Sequence, residues 1–184
     1  MITIFAESIT DRRLLERLLA DLGPGCAFRV IHADGRDAAR PLARTHLAIA
    51  HQPVALVMDA ETTDTARIMQ LQRDLEDYFL WVSQGVPFRV VQFIPEVEVV
   101  FFHHPEVLRR FLGDRLDKHA VVAGRFAPRA VLEELLQGSS LTELIERLTE
   151  EDLEELRKHE TVAELRSFVE SSDVHSLAVS SRSA

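Results

Sequence analysis

Four short apolar runs, each followed by a segment that reads as a helix or a helix start, occupy the first 95 residues and constrain the fold more than any other feature. The runs are "MITIFA", "CAFRVIHA", "VALVMD" and "VPFRVVQFIP". "VALVMD" is continuously apolar rather than alternating, as expected of a strand covered on both faces. Between the runs lie "ITDRRLLERLLADL", "AARPLARTHLAIAHQ" and "TTDTARIMQLQRDLEDYFLWVSQG". Ser8 or Thr10 can cap the first helix, and Gly23, Pro24 and Gly25 stop it. "DGRD" turns the chain before the second helix, where Pro41 is expected in the first turn. The order β-α-β-α-β-α-β with right-handed crossovers predicts a three-layer α/β fold with a mainly parallel sheet of about four strands.

Beyond the fourth strand, "PEVEVVFFHHPEVLRRFLGD" is read as helical from Pro95, because proline suits the first helical position. From about residue 128 the chain becomes helical and acidic, broken by Gly138 and serines. "LTEEDLEELRKH" and "TVAELRSFVE" read as two short helices whose leucines pack on the sheet domain or on one another. The expected division is an α/β domain over 1–127, an acidic helical extension packed on it over 128–170, and a frayed tail over 171–184. With 184 residues, 46% of them hydrophobic, a substantial core is expected.

The formal net charge of -9 argues against bulk attraction to DNA or anionic lipid. It leaves room for a nucleic-acid enzyme, since bound cations and local arginines can offset it. One cysteine, Cys26, rules out an intramolecular disulfide and a cysteine-based zinc site; a small buried thiol is expected. "MITIFAE" is not a secretory leader, and no apolar run reaches membrane-spanning length. A cytoplasmic protein with no membrane association is therefore expected. The chain has no P-loop and no G-x-S-x-G elbow, so neither ATP hydrolysis nor serine-triad chemistry is read from it.

Ligands of parallel α/β sheets gather beyond the carboxyl ends of the strands. Glu7 follows the first strand; Asp59 ends the third and Glu61 follows it. If those strands are neighbours, three carboxylates converge, and each raises the pKa of the others unless a cation neutralises them. Mg²⁺ or Mn²⁺ suits such hard oxygen donors and supports phosphoryl-transfer chemistry. The plainer alternative is that Asp59 and Glu61 end a strand, Thr62, Thr63 or Asp64 caps the next helix, and Glu7 benefits from a helix N-terminus. Glu96 and Glu98 follow strand four. Glu98, among valines and phenylalanines, demands a partner.

Arg12 and Arg13 follow strand one. Arg36, Arg40 and Arg44 follow strand two, Arg40 and Arg44 on one helix face. The latter three are the best candidates for substrate phosphate, although each taken singly also suits a solvent-facing salt bridge. His103 and His104 are adjacent and point apart, a poor metal pair, with one a candidate proton carrier. His32 ends strand two. Gly35 suits a turn needing positive φ. Tyr78 and Trp81 are packing groups or partner contacts.

Glu7 after a first strand and the Asp59-x-Glu61 pair after a later one resemble the TOPRIM domain of topoisomerases, primases, small nucleases and OLD-family endonucleases. "IPEVEVVFFHHPEVLRRF" resembles the PE-x-E-A-W-L-L-x-D region of the TOPRIM-like DUF4276 family, and "LTEEDLEELRKHETVAELRSFVE" resembles its helical tail. The resemblance covers about residues 2 to 170. It implies a Rossmann-like fold and a Mg²⁺- or Mn²⁺-dependent nuclease acting on DNA or RNA, in a mobile-element or phage-defence setting. Glu7 takes the general acid/base position or holds metal through water, Asp59 and Glu61 take the two acids of Asp-x-Asp, and Glu96 and Glu98 the two glutamates of the later segment. Gly35 takes the position of close approach to the rim. A homodimer or a partner ATPase would supply basic surface. The chain departs from the pattern at Ser8, where glycine is usual, at Glu61, where aspartate is usual, and in "VVFFHH". A non-catalytic binding or regulatory subunit is the alternative. A receiver-like domain phosphorylated on Asp59 ranks last, lacking the acidic pair after strand one and a late lysine.

Overall fold

A computed structural model describes residues 1–23 and 25–180. Pro24 of the expected helix stop and residues 181–184 of the expected tail lie outside the described residues. Strands β1 (Ile2–Ala6), β2 (Phe28–His32), β3 (Val54–Asp59) and β4 (Phe88–Phe93) alternate with helices α1 (Ile9–Leu19), α2 (Arg36–Ala50) and α3 (Thr65–Ser83). The sheet has the order β2-β1-β3-β4, with every pairing parallel. This is the mainly parallel α/β sheet of four strands that the sequence predicts.

Every residue of β1 and of β3 is buried, because these are the two central strands. Strand periodicity sorts their side chains onto two faces. Ile2, Ile4, Ala55 and Val57 join a core with Leu14, Leu15 and Leu18 of α1. Phe5, Leu56 and Met58 face the other way, against Ala43 and Leu47 of α2 and Leu75 and Phe79 of α3. The first core also takes in residues of the later helices, as far as Leu165 and Val169. Cys26 is half-buried and packs against it.

Those later helices are α4 (Val99–His103), α5 (Pro105–Leu112), α6 (Lys118–Ala123), α7 (Pro128–Leu136), α8 (Leu141–Arg147), α9 (Glu150–Leu156) and α10 (Glu160–Ser180), with a 3-10 turn at Gly113–Arg115. The backbone of α10 continues through residues 171–180, where the sequence predicts a frayed tail.

Local chemistry sets several boundaries. Ser8, rather than Thr10, caps α1: its hydroxyl accepts the Asp11 N–H while the Asp11 carboxylate accepts the Ser8 N–H, a reciprocal capping box. Asp64 caps α3 by accepting the N–H groups of Ala66 and Arg67. Two proline expectations are corrected. Helix α2 begins at Arg36, since the Gly35 carbonyl already accepts from Ala38 and Ala39, so Pro41 lies inside the helix and not in its first turn. No helix starts at Pro95. That residue follows a cis peptide bond, and the segment is tied to the end of β3 instead. The Pro95 carbonyl accepts the Glu61 N–H at 2.8 Å, and the Val97 N–H donates to Asp59 Oδ1 at 2.8 Å. Helix α4 starts only at Val99.

Candidate functional site

The adjacency of β1 and β3 meets the condition that carboxylate convergence requires. Register Phe5↔Leu56 brings Glu7 beside the end of β3, where the Asp59 N–H donates to Glu7 Oε1 at 3.2 Å. Two residues on, Glu61 takes a left-handed φ of 54°, uncommon for a residue with a side chain. Gly35, with φ 91°, donates its N–H to the Glu7 carbonyl at 3.0 Å. Its hypothetical Cβ would meet nothing within 4 Å, so the glycine answers to conformation and not to space.

Asp59 is 5% exposed and Glu98 1%. Both find the same partner. Arg129 Nη2 donates to Asp59 Oδ2 at 3.0 Å, and Arg129 Nε donates to Glu98 Oε1 at 3.0 Å. A third contact joins Arg129 Nη2 to Glu98 Oε2 at 3.4 Å, and the Arg129 N–H donates to Glu96 Oε2 at 3.0 Å. The second guanidinium is that of Arg36. It lies 3.0 Å from Glu61 and 3.6 Å from Glu7, and it also donates to the Asp59 carbonyl oxygen. Asp11 completes the acidic group. It is 4% exposed, and its Oδ1 has no hydrogen-bond partner.

Glu7, Asp11, Asp59, Glu61, Glu96 and Glu98 thus share the rim with Arg36 and Arg129, six acids against two bases. The carboxyl of Asp59 is pushed up to about 8, first by burial, then by the charges of Asp11 and Glu98, with Arg129 opposing. Burial also raises Glu98 against the pull of Arg129, and Glu7 against the pull of Arg36. Burial alone would lower Arg129, but its contacts with Glu98, Asp59 and Glu96 hold it above its usual value. A cavity of about 520 Å³ opens beside this group, lined by Ser8, Thr10, Glu98, Arg129, Glu133 and Ser140 among others.

Arg40 and Arg44, expected to bind phosphate with Arg36, are not brought to the rim. Helix α2 leads away from the carboxyl end of β2 at about 1.5 Å per residue, so they lie roughly 6 and 12 Å further along it than Arg36. Arg44 donates to the Tyr78 carbonyl and lies over the Tyr78 ring, 4.6 Å from its centroid. Arg40 lines a cleft with Asp37 and Asp74 between α2 and α3. Arg12 and Arg13 form exposed pairs with Glu16 and Glu146. His103 stacks on His159 at 4.9 Å, and half-buried His32 ends β2. Tyr78 is partly exposed and Trp81 is 85% exposed.

His104, Glu106 and Glu155 hold atoms able to ligate a metal within 4.8 Å of one another. This group lies where the α4–α5 junction meets α9. Among the described residues the rim acids form no such group of three; they pair with Arg36 and Arg129.

Sequence reasoning missed Asp11 of the rim, and it missed Arg129. One signal pointed to Arg129. It is the second residue of α7, where a positive charge opposes the helix dipole, so a cation there needs a negative partner elsewhere. Among the described residues no helix is long and apolar enough to cross a membrane. No protein-family model and no curated protein matches the chain. Among solved structures, the C-terminal region of the Burkholderia pseudomallei OLD protein is similar, at 16% identity over 95% of each chain with a TM-score of 0.45. A likeness at that level assigns neither family nor activity.

Proposed function

We propose that the chain is a divalent-metal-dependent phosphodiester hydrolase of TOPRIM type, a nuclease acting on DNA or RNA with Mg²⁺ or Mn²⁺. The observation that carries this reading is the excess of buried carboxylate over guanidinium at the carboxyl rim of the sheet. Burial of uncompensated negative charge is costly. The orphaned Oδ1 of Asp11 and the raised carboxyl of Asp59 both register the deficit. The donor set fits a hard divalent cation in chemistry and in charge.

Asp59, Glu61 and Glu98 would hold the cation, with Glu7 at its edge. Such an ion, when bound, polarises a phosphoryl oxygen and lowers the pKa of coordinated water. Glu7 is the proton acceptor: burial raises its carboxyl above the ordinary value against the pull of Arg36, which makes it a stronger base. Arg36 orients Glu7 and Glu61 together through one guanidinium. A nucleic-acid substrate meets a chain of net charge -9, so a second copy or a partner ATPase supplies the further basic surface.

Cleavage of DNA and RNA with Mn²⁺ or Mg²⁺, with EDTA as control and Asp59→Ala alongside, tests the reading. Metal-dependent cleavage lost in the variant is expected; cleavage that survives the substitution overturns it. The second reading, a non-catalytic binding or regulatory subunit, is favoured by one observation: Asp59 and Glu98 are already paired with Arg129. It predicts no cleavage and no Asp59-dependent metal binding.

A further inference from the structure

We infer that Arg129 is a built-in counter-cation, whose guanidinium holds the position between Asp59 and Glu98 that a divalent ion takes, so that a residue of the helical extension sets the metal affinity of the rim. The inference rests on the metal-site reading above and goes beyond it by naming the residue that competes.

The two arginines of the rim are held differently. Arg36 is 22% exposed and grips backbone as well as side chains, through the Asp59 carbonyl. Withdrawing it would disturb the turn after β3. Arg129 is 43% exposed, and among the described residues its guanidinium hydrogen-bonds to carboxylates alone. Its backbone N–H donates separately, to Glu96 Oε2. The cavity beside it gives the guanidinium room to leave. Glu133 lines that cavity one helical turn further along α7, an (i, i+4) acceptor for a guanidinium that has swung out.

Competition follows from the donor count. Arg129 occupies Asp59 Oδ2 and both oxygens of Glu98, while the Val97 N–H occupies Asp59 Oδ1. An ion that ligates both carboxylates from that side competes for the lone pairs the guanidinium now holds and is repelled by its charge, and charge-assisted hydrogen bonds of this kind are among the stronger ones.

The test is Mn²⁺ binding, followed by calorimetry and by the electron paramagnetic resonance signal of free Mn²⁺. A His104→Ala background removes the His104, Glu106 and Glu155 group. Three proteins are compared in that background: the parent, Arg129→Gln and Asp59→Asn. The expected result is Asp59-dependent binding in the parent and binding at least tenfold tighter in Arg129→Gln, with a larger Mn²⁺-induced rise in Tm. Arg129→Lys, a point charge that cannot bridge both carboxylates as the planar fork does, should bind with intermediate affinity. It serves as the test if the glutamine variant does not fold. Asp59-dependent binding of equal or lower affinity in the Arg129 variants overturns the counter-cation role and leaves the metal reading standing. Absence of Asp59-dependent binding in every protein overturns both.

Discussion

Replacing Asp59 by asparagine should make the metal-free protein more stable at pH 8 and leave it nearly unchanged near pH 4. Asp59 is 5% exposed, and its carboxyl is raised from 3.8 to about 8 by burial and by Asp11 and Glu98. A raised acid disfavours the ionised folded state. Its penalty is absent below the unfolded pKa near 3.8, grows as pH rises, and is complete above the folded value near 8. At about 1.4 kcal/mol per pKa unit the full penalty is on the order of 5 kcal/mol. Asparagine keeps an oxygen for the Val97 N–H but gives up the ion pair with Arg129. It also leaves an amide beside a guanidinium. The value near 8 already contains the pull of Arg129, so no separate cost for the lost pair is subtracted, and the gain at pH 8 is on the order of 5 kcal/mol. For a chain of this size that is a rise in Tm of roughly 10–20 °C. Thermal unfolding in EDTA from pH 4 to pH 9 measures it. A variant no more stable than the parent at pH 8, or a difference independent of pH, refutes the claim that the rim carries uncompensated charge.

Two further outcomes are expected. Ser8→Ala removes the hydroxyl that accepts the Asp11 N–H and should cost about 1 kcal/mol, read by calorimetry as a Tm lowered by roughly 2–4 °C. Arg44→Ala should leave nucleic-acid cleavage within about twofold of the parent in a kinetic assay, because its guanidinium is spent on Tyr78 and stays off the rim; a loss of more than about tenfold would return Arg44 to the substrate path.

The sequence by itself determined the order and kind of the first seven elements. Buried strands must be continuously apolar, as "VALVMD" is, and the helices between them must carry one apolar stripe. It also determined that Glu98 needs a partner, since a carboxylate among valines and phenylalanines cannot remain alone. Helix starts were harder to read. Proline at residues 41 and 95 suits a first turn locally, but Gly35 begins α2 earlier and the end of β3 holds residues 95 to 97 away from helix. What only the tertiary structure decided is which groups meet. Strand order set β1 beside β3, and with it Glu7 beside Asp59, because crossover connections allow several orders with the same local pattern. Packing of α7 brought Arg129 to Asp59 and Glu98, 70 and 31 residues away in the chain. Local sequence cannot encode that meeting: burial of apolar surface drives the helix into place, and the charge pairing is formed by where the helix lands.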